Sequence, residues 1–250
     1  MKLLGLLFFL WSSHCWALTG TEVMEKVDLR NQGENFQSLI TMKLVKRGQE
    51  EIRDLVWWST RSAMETKHLI KFKSPKSLLN TGLLIQAPKS SENQIWLFLS
   101  QAKKKEPRKI AAEKRGQSFL GSQFSYVDFE ERSVADFQHK LIESSQFGKW
   151  DCYKVESIPK EKSYVYSNIE TWVDKNSFVP VRIRLFIKKK AVKEFTVQQL
   201  AQEQGIWTVM KSKMEDLQKN KVTELAIQKI KYNQIQSEDT YSFSRLTAEL

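Results

Sequence analysis

The sequence contains few of the side chains and motifs on which catalytic, metal and nucleotide sites depend. Its 250 residues include two cysteines and three histidines. His68 and His139 lie beyond the N-terminal segment, and neither has a cysteine, histidine or carboxylate at metal-ligand spacing. The chain has no Gly-x-Ser-x-Gly motif, and its nine glycines form no phosphate-binding loop. We therefore predict that the protein is not an enzyme and uses no cofactor or metal.

Long hydrophobic runs are also missing. Beyond the N-terminus, no stretch approaches the ~20 apolar residues that a membrane-spanning helix needs. The N-terminus carries Lys2 and a short apolar core at residues 3–11, and residues 15–17 offer small side chains at the positions that a signal peptidase inspects. We predict a signal peptide at residues 1–17, removed near Ala17, and a periplasmic location for the remaining chain.

Removal of this segment leaves Cys152 as the one cysteine, so no internal disulfide is expected. A lone thiol of this kind is usually buried and unreactive. An alternative is that Cys15 is acylated as in a lipoprotein, although residues 12–14 are a poor lead-in to such a site. Residues 18–250 are predicted to form a single domain, because all-β sheets and barrels of this size are common.

The sequence has fewer acidic than basic residues. The formal net charge is +11 at pH 7. In a cytosolic protein this balance would suggest nucleic acid as a partner, but an exported protein meets anionic lipid headgroups or acidic protein surfaces instead. We predict no nucleic-acid partner. The alternative is a basic surface that is simply solvated.

Hydrophobic residues alternate with polar residues along most of the chain. A capping box formed by Thr19 and Glu22 predicts a helix over residues 21–30. From Phe36 onward the period is two, which is typical of strands with one buried and one solvated face. The alternation is clearest in residues 40–45, 55–58, 68–73, 83–85, 96–98 and 181–187. Lys219 and Asn220 predict a tight turn between the last two strands.

Residues 126–149 interrupt this alternation. Their apolar side chains recur at steps of three and four residues, which predicts one or two short helices inserted between strands. The acidic residues of this stretch are then expected on the solvated face of a helix; they are Asp128, Glu130, Glu131 and Asp136. This insertion is the predicted lid.

A long antiparallel sheet has to curl or close to protect its edges. We predict a mainly β fold with helices (α+β), in which a curved antiparallel sheet forms an unclosed β-barrel with helices capping the concave face. Such a sheet has more concave apolar surface than one lid covers, which predicts an apolar cavity suited to a lipid or acyl chain. The predicted lining is Ile40, Met42, Leu44, Trp57, Ile70, Phe72, Trp96, Phe98, Ile183 and Leu185.

A strand-like run at residues 95–99 is followed by a basic segment at 103–109 and by the sequence FLGSQFSY at 119–126. Together with WVDK at residues 172–175, this order resembles the LolA-like family of outer-membrane lipoprotein-sorting proteins. The resemblance implies an unclosed β-barrel with helices on its concave side and acylated cargo carried through the periplasm. It also implies an arginine that holds the lid shut, and the sequence alone assigns that role to no arginine.

The leading hypothesis is a monomeric periplasmic carrier that binds acyl chains of a lipoprotein or lipid and hands them on towards the outer membrane. The resemblance implies two partners, an inner-membrane exporter of the resistance-nodulation-division (RND) class and an outer-membrane acceptor. One alternative is a non-enzymatic adaptor that docks on such an exporter or envelope complex through residues 103–109. Another is a hydrolase of envelope lipids, for which the sequence provides no nucleophile.

Overall fold

The computed structural model describes residues 18–250, so the predicted signal peptide and Cys15 lie outside the described residues. The first element is helix α1, Gly20–Leu29. Thr19 caps it as predicted: the Glu22 backbone N–H donates to Thr19 Oγ1 at 3.2 Å, and the Thr19 N–H donates to Glu22 Oε2 at 2.7 Å. The capping box therefore confirms the start of this helix.

Thirteen strands follow within the described residues, and all of them belong to one antiparallel sheet. They are β1 Asn35–Lys46, β2 Gln49–Arg61, β3 Glu65–Phe72, β4 Gly82–Pro88, β5 Gln94–Phe98, β6 Arg108–Lys109, β7 Phe137–Phe147, β8 Trp150–Pro159, β9 Asn168–Asp174, β10 Pro180–Ile187, β11 Lys190–Glu203, β12 Ile206–Asp216 and β13 Lys221–Tyr232.

The order across the sheet is β6-β5-β4-β3-β2-β1-β13-β12-β11-β10-β9-β8-β7. Each strand pairs with its neighbour in sequence, except that β1 and β13 pair with each other and join the two halves. Strands β6 and β7 form the two edges and do not pair, so the sheet is unclosed. This confirms the predicted fold class.

The prediction of helices over residues 126–149 is wrong for most of that range. Only the short 3₁₀ segments Tyr126–Phe129 and Val134–Asp136 are helical, and Phe137–Phe147 forms edge strand β7. The same stretch also shows a period of two, because Phe137, His139 and Leu141 alternate with Gln138 and Lys140. Pairing with β8 decides between the two patterns, since it runs from Phe137 opposite Pro159 to Phe147 opposite Trp150.

The two faces of the sheet are covered by different segments. We call the face that carries Ile40, Leu55 and Ile70 the inner face. At the β7–β9 side it is covered by α1, whose Val23 and Val27 pack against Val155 and Val173. Its centre is covered by residues 110–136, which we call the plug. A regular helix therefore caps only one side of this face, and the plug has only short 3₁₀ segments.

The C-terminal segment covers the outer face, which the sequence patterns did not predict. It consists of the 3₁₀ segment Glu238–Tyr241 and helix α2, Phe243–Thr247. Tyr241 and Leu246 pack against Trp58, Leu69 and Leu84 of β2, β3 and β4. The parts of β2, β3 and β4 that lie under this segment are consequently buried on both faces.

Candidate functional site: an apolar interior closed by the plug

The space between the inner face and the plug is lined by apolar and aromatic side chains. Phe119 of the plug lies at its centre, with ring centroids 5.1 Å from Phe129, 5.8 Å from Tyr126 and 5.8 Å from Phe72 of β3. Phe129 also contacts Trp57 of β2, with ring centroids 5.9 Å apart. The plug therefore presents an aromatic surface to the sheet.

Little space is left in this interior. A cavity of about 10 Å³ lies among Ile40, Met42, Leu55, Trp57, Ile70, Phe119, Phe129 and Leu225. A volume of this size corresponds to about one water molecule. Plug aromatics therefore fill the space in which the sequence predicts an apolar cavity.

A larger depression, of about 600 Å³, opens to solvent elsewhere on the molecule. Trp150, Leu200 and Trp207 line it together with Lys149, Asp174 and Lys175. Because charged groups form much of its wall, it lacks the apolar character that an acyl chain requires.

Arg53 of β2 holds the turn of the plug. Its guanidinium Nη1 donates to the carbonyl oxygen of Leu120 at 2.7 Å, and its Nε donates to Glu51 at 2.7 Å. The turn is closed by the Ser122 N–H, which donates to the Phe119 carbonyl at 3.0 Å. Leu120 and Gly121 both have positive φ, at 49° and 82°, a backbone region that a residue as bulky as leucine seldom adopts.

A second contact to the turn comes from β13. The Gln123 N–H donates to Thr223 Oγ1 at 3.0 Å, and the Thr223 hydroxyl donates to Gln123 Oε1 at 3.1 Å. Thr223 is fully buried. The turn is thus held from both strands that flank β1.

A buried polar cluster attaches the next part of the plug to β11 and to the β8–β9 loop. Lys193 Nζ lies 2.6 Å from Ser125 Oγ, 3.1 Å from Asp128 Oδ2 and 3.3 Å from the Tyr166 hydroxyl. Tyr166 donates to Asp128 Oδ1 at 2.7 Å. Burial, followed by the charge of Asp128, raises the pKa of Tyr166 above its ordinary range. The tyrosine is therefore a neutral donor to the carboxylate.

A third set of contacts lies at Glu131. Its carboxylate contacts Arg61 Nη2 at 3.2 Å and His68 Nε2 at 3.3 Å. Burial alone would raise the pKa of Glu131, but hydrogen bonding by His68 and the charge of Arg61 outweigh it and lower the pKa to about 2. The Trp57 indole N–H donates to His68 Nδ1 at 3.3 Å, and the other ring nitrogen, Nε2, faces Glu131.

Glu130 is held differently. Its carboxylate lies 3.4 Å from Arg115 Nη1 and 3.3 Å from Asn93 Nδ2, and Arg115 Nη2 also donates to the Asn93 carbonyl at 2.6 Å. Burial raises the pKa of Glu130 in spite of the nearby arginine. The plug is thus attached to the β4–β5 loop as well as to the strands.

This architecture also occurs in known proteins. The profile of a family described as "Uncharacterized protein" matches residues 64–248. The chain belongs to this family. Its fold is LolA-like. A LolA superfamily protein from Nitrosomonas europaea superposes with a TM-score of 0.68 at 17% identity, over 90% of this chain and 98% of that one. No curated protein matches the sequence.

Two further solved structures are similar over nearly their whole length. A domain described as an outer membrane lipoprotein-sorting protein, from Vibrio parahaemolyticus, has a TM-score of 0.86 at 21% identity and covers 92% of this chain and 98% of its own. A DUF1329 family protein from Desulfovibrio piger has a TM-score of 0.85 at 22% identity and covers 91% of this chain and 97% of its own. At these identities the likeness establishes the fold.

The LolA-like sheet brings together eight of the ten residues predicted to line the interior. Six are buried in the inner cluster and two, Trp57 and Ile183, pack against it half-buried; the six are Ile40, Met42, Leu44, Ile70, Phe72 and Leu185. Whether they contact a ligand stays a prediction.

The placement of Trp96 and Phe98 on the inner face is wrong. Both pack in the outer cluster with the C-terminal segment, while Ile95 and Leu97 face inward. Every residue of β5 after Gln94 is apolar, so its sequence shows no alternation from which to choose a face. In such a strand, an error of one residue exchanges the two faces.

The predicted solvated position of the plug acids is also wrong for two of them. The side chains of Asp128 and Glu130 are only 3% and 7% exposed. A local signal was available, because Ser125 and Asp128 have the spacing of a capping box and form one in the structure. Arg53, which the sequence left unassigned, contacts the plug through the Leu120 carbonyl.

Within residues 18–250, no group of three or more His, Cys, Asp or Glu side chains is arranged to hold a metal ion. Over the same residues, none of the helices has both the length and the apolar character needed to cross a bilayer.

Proposed function

We propose that the protein is a periplasmic carrier that binds the acyl chains of a lipoprotein or lipid in the space that the plug now fills, and hands them on towards the outer membrane. The observation that carries this proposal is the construction of the plug. Its inner side is aromatic and packs on an apolar sheet face, while its attachments to the sheet are a small set of polar contacts. The LolA-like fold supports the same reading.

The energetics suit a reversible carrier. Burying a 16-carbon chain contributes ~12 kcal/mol, at ~0.8 kcal/mol per methylene. Exposing three plug phenylalanines, Phe119, Phe124 and Phe129, costs ~1.5–3 kcal/mol each. Breaking the polar attachments adds a further cost to this sum. The two quantities are of the same order, so the net affinity stays moderate and cargo can be released.

A reversible lock on the plug tests the proposal. In a Cys152→Ala background of the chain beginning at Leu18, Gln123→Cys and Thr223→Cys place thiols on two residues already in hydrogen-bond contact. With the disulfide reduced, we expect uptake of a fluorescent 16-carbon fatty acid. With the disulfide formed, the plug cannot leave β13 and uptake should fall to background.

A matched control places a disulfide on the opposite face of β13, between β13 and its neighbour β12. Lys213 and Glu224 are cross-strand partners one residue away from Met214 and Thr223, and they face outward. A Lys213→Cys and Glu224→Cys disulfide should leave uptake unchanged. Equal uptake by the reduced and oxidised plug lock would contradict the proposed binding site.

A second candidate is the adaptor that docks on an exporter or envelope complex. Lys103, Lys104 and Lys105 are exposed in the β5–β6 loop, which favours a charge-based contact. Docking of this kind weakens steeply with ionic strength, whereas acyl burial does not. If neither fatty acid nor lipid is taken up by the unlocked protein, the adaptor becomes the better explanation.

A further inference from the structure

One end of the sheet is built from the turns of three hairpins. The turns between β1 and β2, β10 and β11, and β12 and β13 lie at this end, because neighbouring antiparallel strands reverse direction there. Strand pairing shows that the three turns are close to one another. Lys46 lies opposite both Gln49 and Lys221. Asp216 lies opposite both Lys221 and Lys193. The loops 73–81, 99–107 and 160–167 emerge at the same end.

These turns carry a dense set of cations. Lys188, Lys189 and Lys190 are consecutive and exposed at the β10–β11 turn. Lys46 and Arg47 at the β1–β2 turn and Lys219 at the β12–β13 turn are exposed as well. Across residues 18–250, none of these six side chains pairs with a carboxylate. We call the six residues, with the loops beside them, the basic end.

Carboxylates do not balance this charge. Glu106 and Glu161 lie in the loops of the basic end, and Glu50 is paired with Lys43. The Asp216 carboxylate accepts hydrogen bonds from the backbone N–H groups of Gln218 and Lys219. The basic end therefore keeps a strong positive excess.

The opposite end of the sheet differs. Its turns, at residues 62–64, 89–93, 148–149, 175–179 and 204–205, contain three lysines in all: Lys89, Lys149 and Lys175. Lys175 pairs with Asp151 at 3.0 Å, and Lys149 lies over the Trp150 ring. Positive charge is therefore concentrated at one end of the sheet, the basic end.

Aliphatic side chains are exposed beside the cations of the basic end. Ile187 is 44% exposed next to Lys188, and Leu217 is 47% exposed two residues before Lys219. Lysines whose stems lie beside exposed aliphatic groups are typical of surfaces that adsorb to the headgroup region of a bilayer. Clustered lysines near an anionic leaflet add attraction within a Debye length.

The plug turn lies at this same end. Arg53, which holds Leu120, is four residues from the end of β2 that borders the basic end. Thr223, which holds Gln123, is two residues from the corresponding end of β13. A surface docked on the basic end would therefore face the part of the plug that closes the interior.

We propose that the basic end docks the protein on an anionic phospholipid surface, with the Leu120–Gly121 turn of the plug directed at the bilayer. The charges are spread over several hairpin tips instead of lining a groove, and aliphatic side chains stand among them, which fits a lipid surface better than an acidic protein. Docking and acyl binding are separate properties, so the inference does not rest on the proposed function.

Co-sedimentation of the full mature chain with vesicles tests this. We expect binding to vesicles of phosphatidylcholine with phosphatidylglycerol, little binding to phosphatidylcholine alone, and a decrease at high salt. The triple variant Lys188→Gln, Lys189→Gln and Lys190→Gln should bind about 100-fold more weakly, since each lysine near an anionic surface contributes about fivefold. Its fatty-acid uptake should be unchanged, which separates this inference from the carrier proposal.

The matched control removes the same charge from the opposite end, by Lys89→Gln, Lys149→Gln and Lys175→Gln. This variant should bind anionic vesicles almost as the parent does. A second variant, Ile187→Ser with Leu217→Ser, should lose the part of the binding that persists at high salt. Equal losses in the two lysine variants would overturn the proposal. So would binding to polyglutamate without binding to anionic vesicles, an outcome that assigns the basic end to an acidic protein.

Discussion

The Arg53 guanidinium reaches from β2 to the Leu120 carbonyl, a distance of 2.7 Å, and only 6% of the arginine is exposed. The contact joins the sheet to a turn in which a leucine has positive φ. Such a conformation costs roughly 1–2 kcal/mol in a residue other than glycine, so the turn depends on its neighbours to keep it in place. The position of the plug is therefore controlled by a few identifiable contacts.

Replacing Arg53 should loosen the plug turn. A hydrogen bond from a charged donor contributes ~1.5–3 kcal/mol, so Arg53→Ala should speed amide hydrogen exchange in residues 117–126 by about tenfold or more. Arg47→Ala, in the exposed β1–β2 turn, serves as the control and should leave these amides unchanged. Identical exchange in the Arg53 variant and the parent would mean that other contacts hold the turn.

The pair of Lys193 and Asp128 should matter more than an exposed ion pair. Lys193→Ala leaves the Asp128 carboxylate, 3% exposed, without its closest cation, and we expect a loss of ~2–4 kcal/mol in the free energy of unfolding. Lys213→Ala breaks a half-exposed pair with Glu215 on neighbouring strand β12 and should cost less than ~1 kcal/mol. Urea unfolding measures both, and similar losses would show that burial of the pair is unimportant.

Glu131 should make stability depend on acid. Its pKa in the folded protein is about 2, against an ordinary value of 4.5. The stabilisation it provides is complete above pH 4.5 and is lost as the pH falls towards 2, because the folded state then has to take up a proton against the field of Arg61 and His68. The loss amounts to up to ~3 kcal/mol.

Glu131→Gln removes this titration, so its free energy of unfolding should vary less between pH 5 and pH 2 than that of the parent. Glu106→Gln, at an exposed loop position, should retain the parental pH dependence. Parallel curves for the Glu131 variant and the parent would contradict the assignment.

Lys71 should hold the C-terminal segment on the outer face. It is fully buried, and its ammonium donates to the carbonyl of Arg245, at 3.2 Å, and to that of Ala248. Burial lowers its pKa to about 8. Lys71→Met leaves these carbonyls without their donor, and we expect faster hydrogen exchange in residues 243–248 together with a change in Trp96 fluorescence, since Trp96 packs on Phe243. Lys67→Met, on the same strand, should have neither effect.

Much of the fold was accessible from local patterns. Thr19 and Glu22 predict the first helix because a capping box involves only neighbouring residues. Alternation identifies β1 and β10 because each has one more solvated and one buried face, and Asn220 with φ of 49° confirms the predicted turn before β13. The unclosed antiparallel sheet follows from many such strands in succession.

Local patterns fail where the deciding partner is distant in sequence. Strand β7 is distinguished from a helix by its pairing with β8, and β5 shows Ile95 rather than Trp96 to the interior because the C-terminal segment covers its other face. Asp128 is buried where Lys193 and Tyr166, which are distant in sequence, contact its carboxylate.

The sequence by itself thus determined the class of fold, the apolar character of the interior and most of its lining, because alternation and capping are properties of adjacent residues. The tertiary structure decided that Phe119 and Phe129 fill that interior, that Arg53 holds the turn above it, and that the lysines of separate hairpins meet at one end of the sheet. Each of these features depends on long-range strand pairing. It brings together residues that are far apart in the sequence and that no local sequence pattern connects.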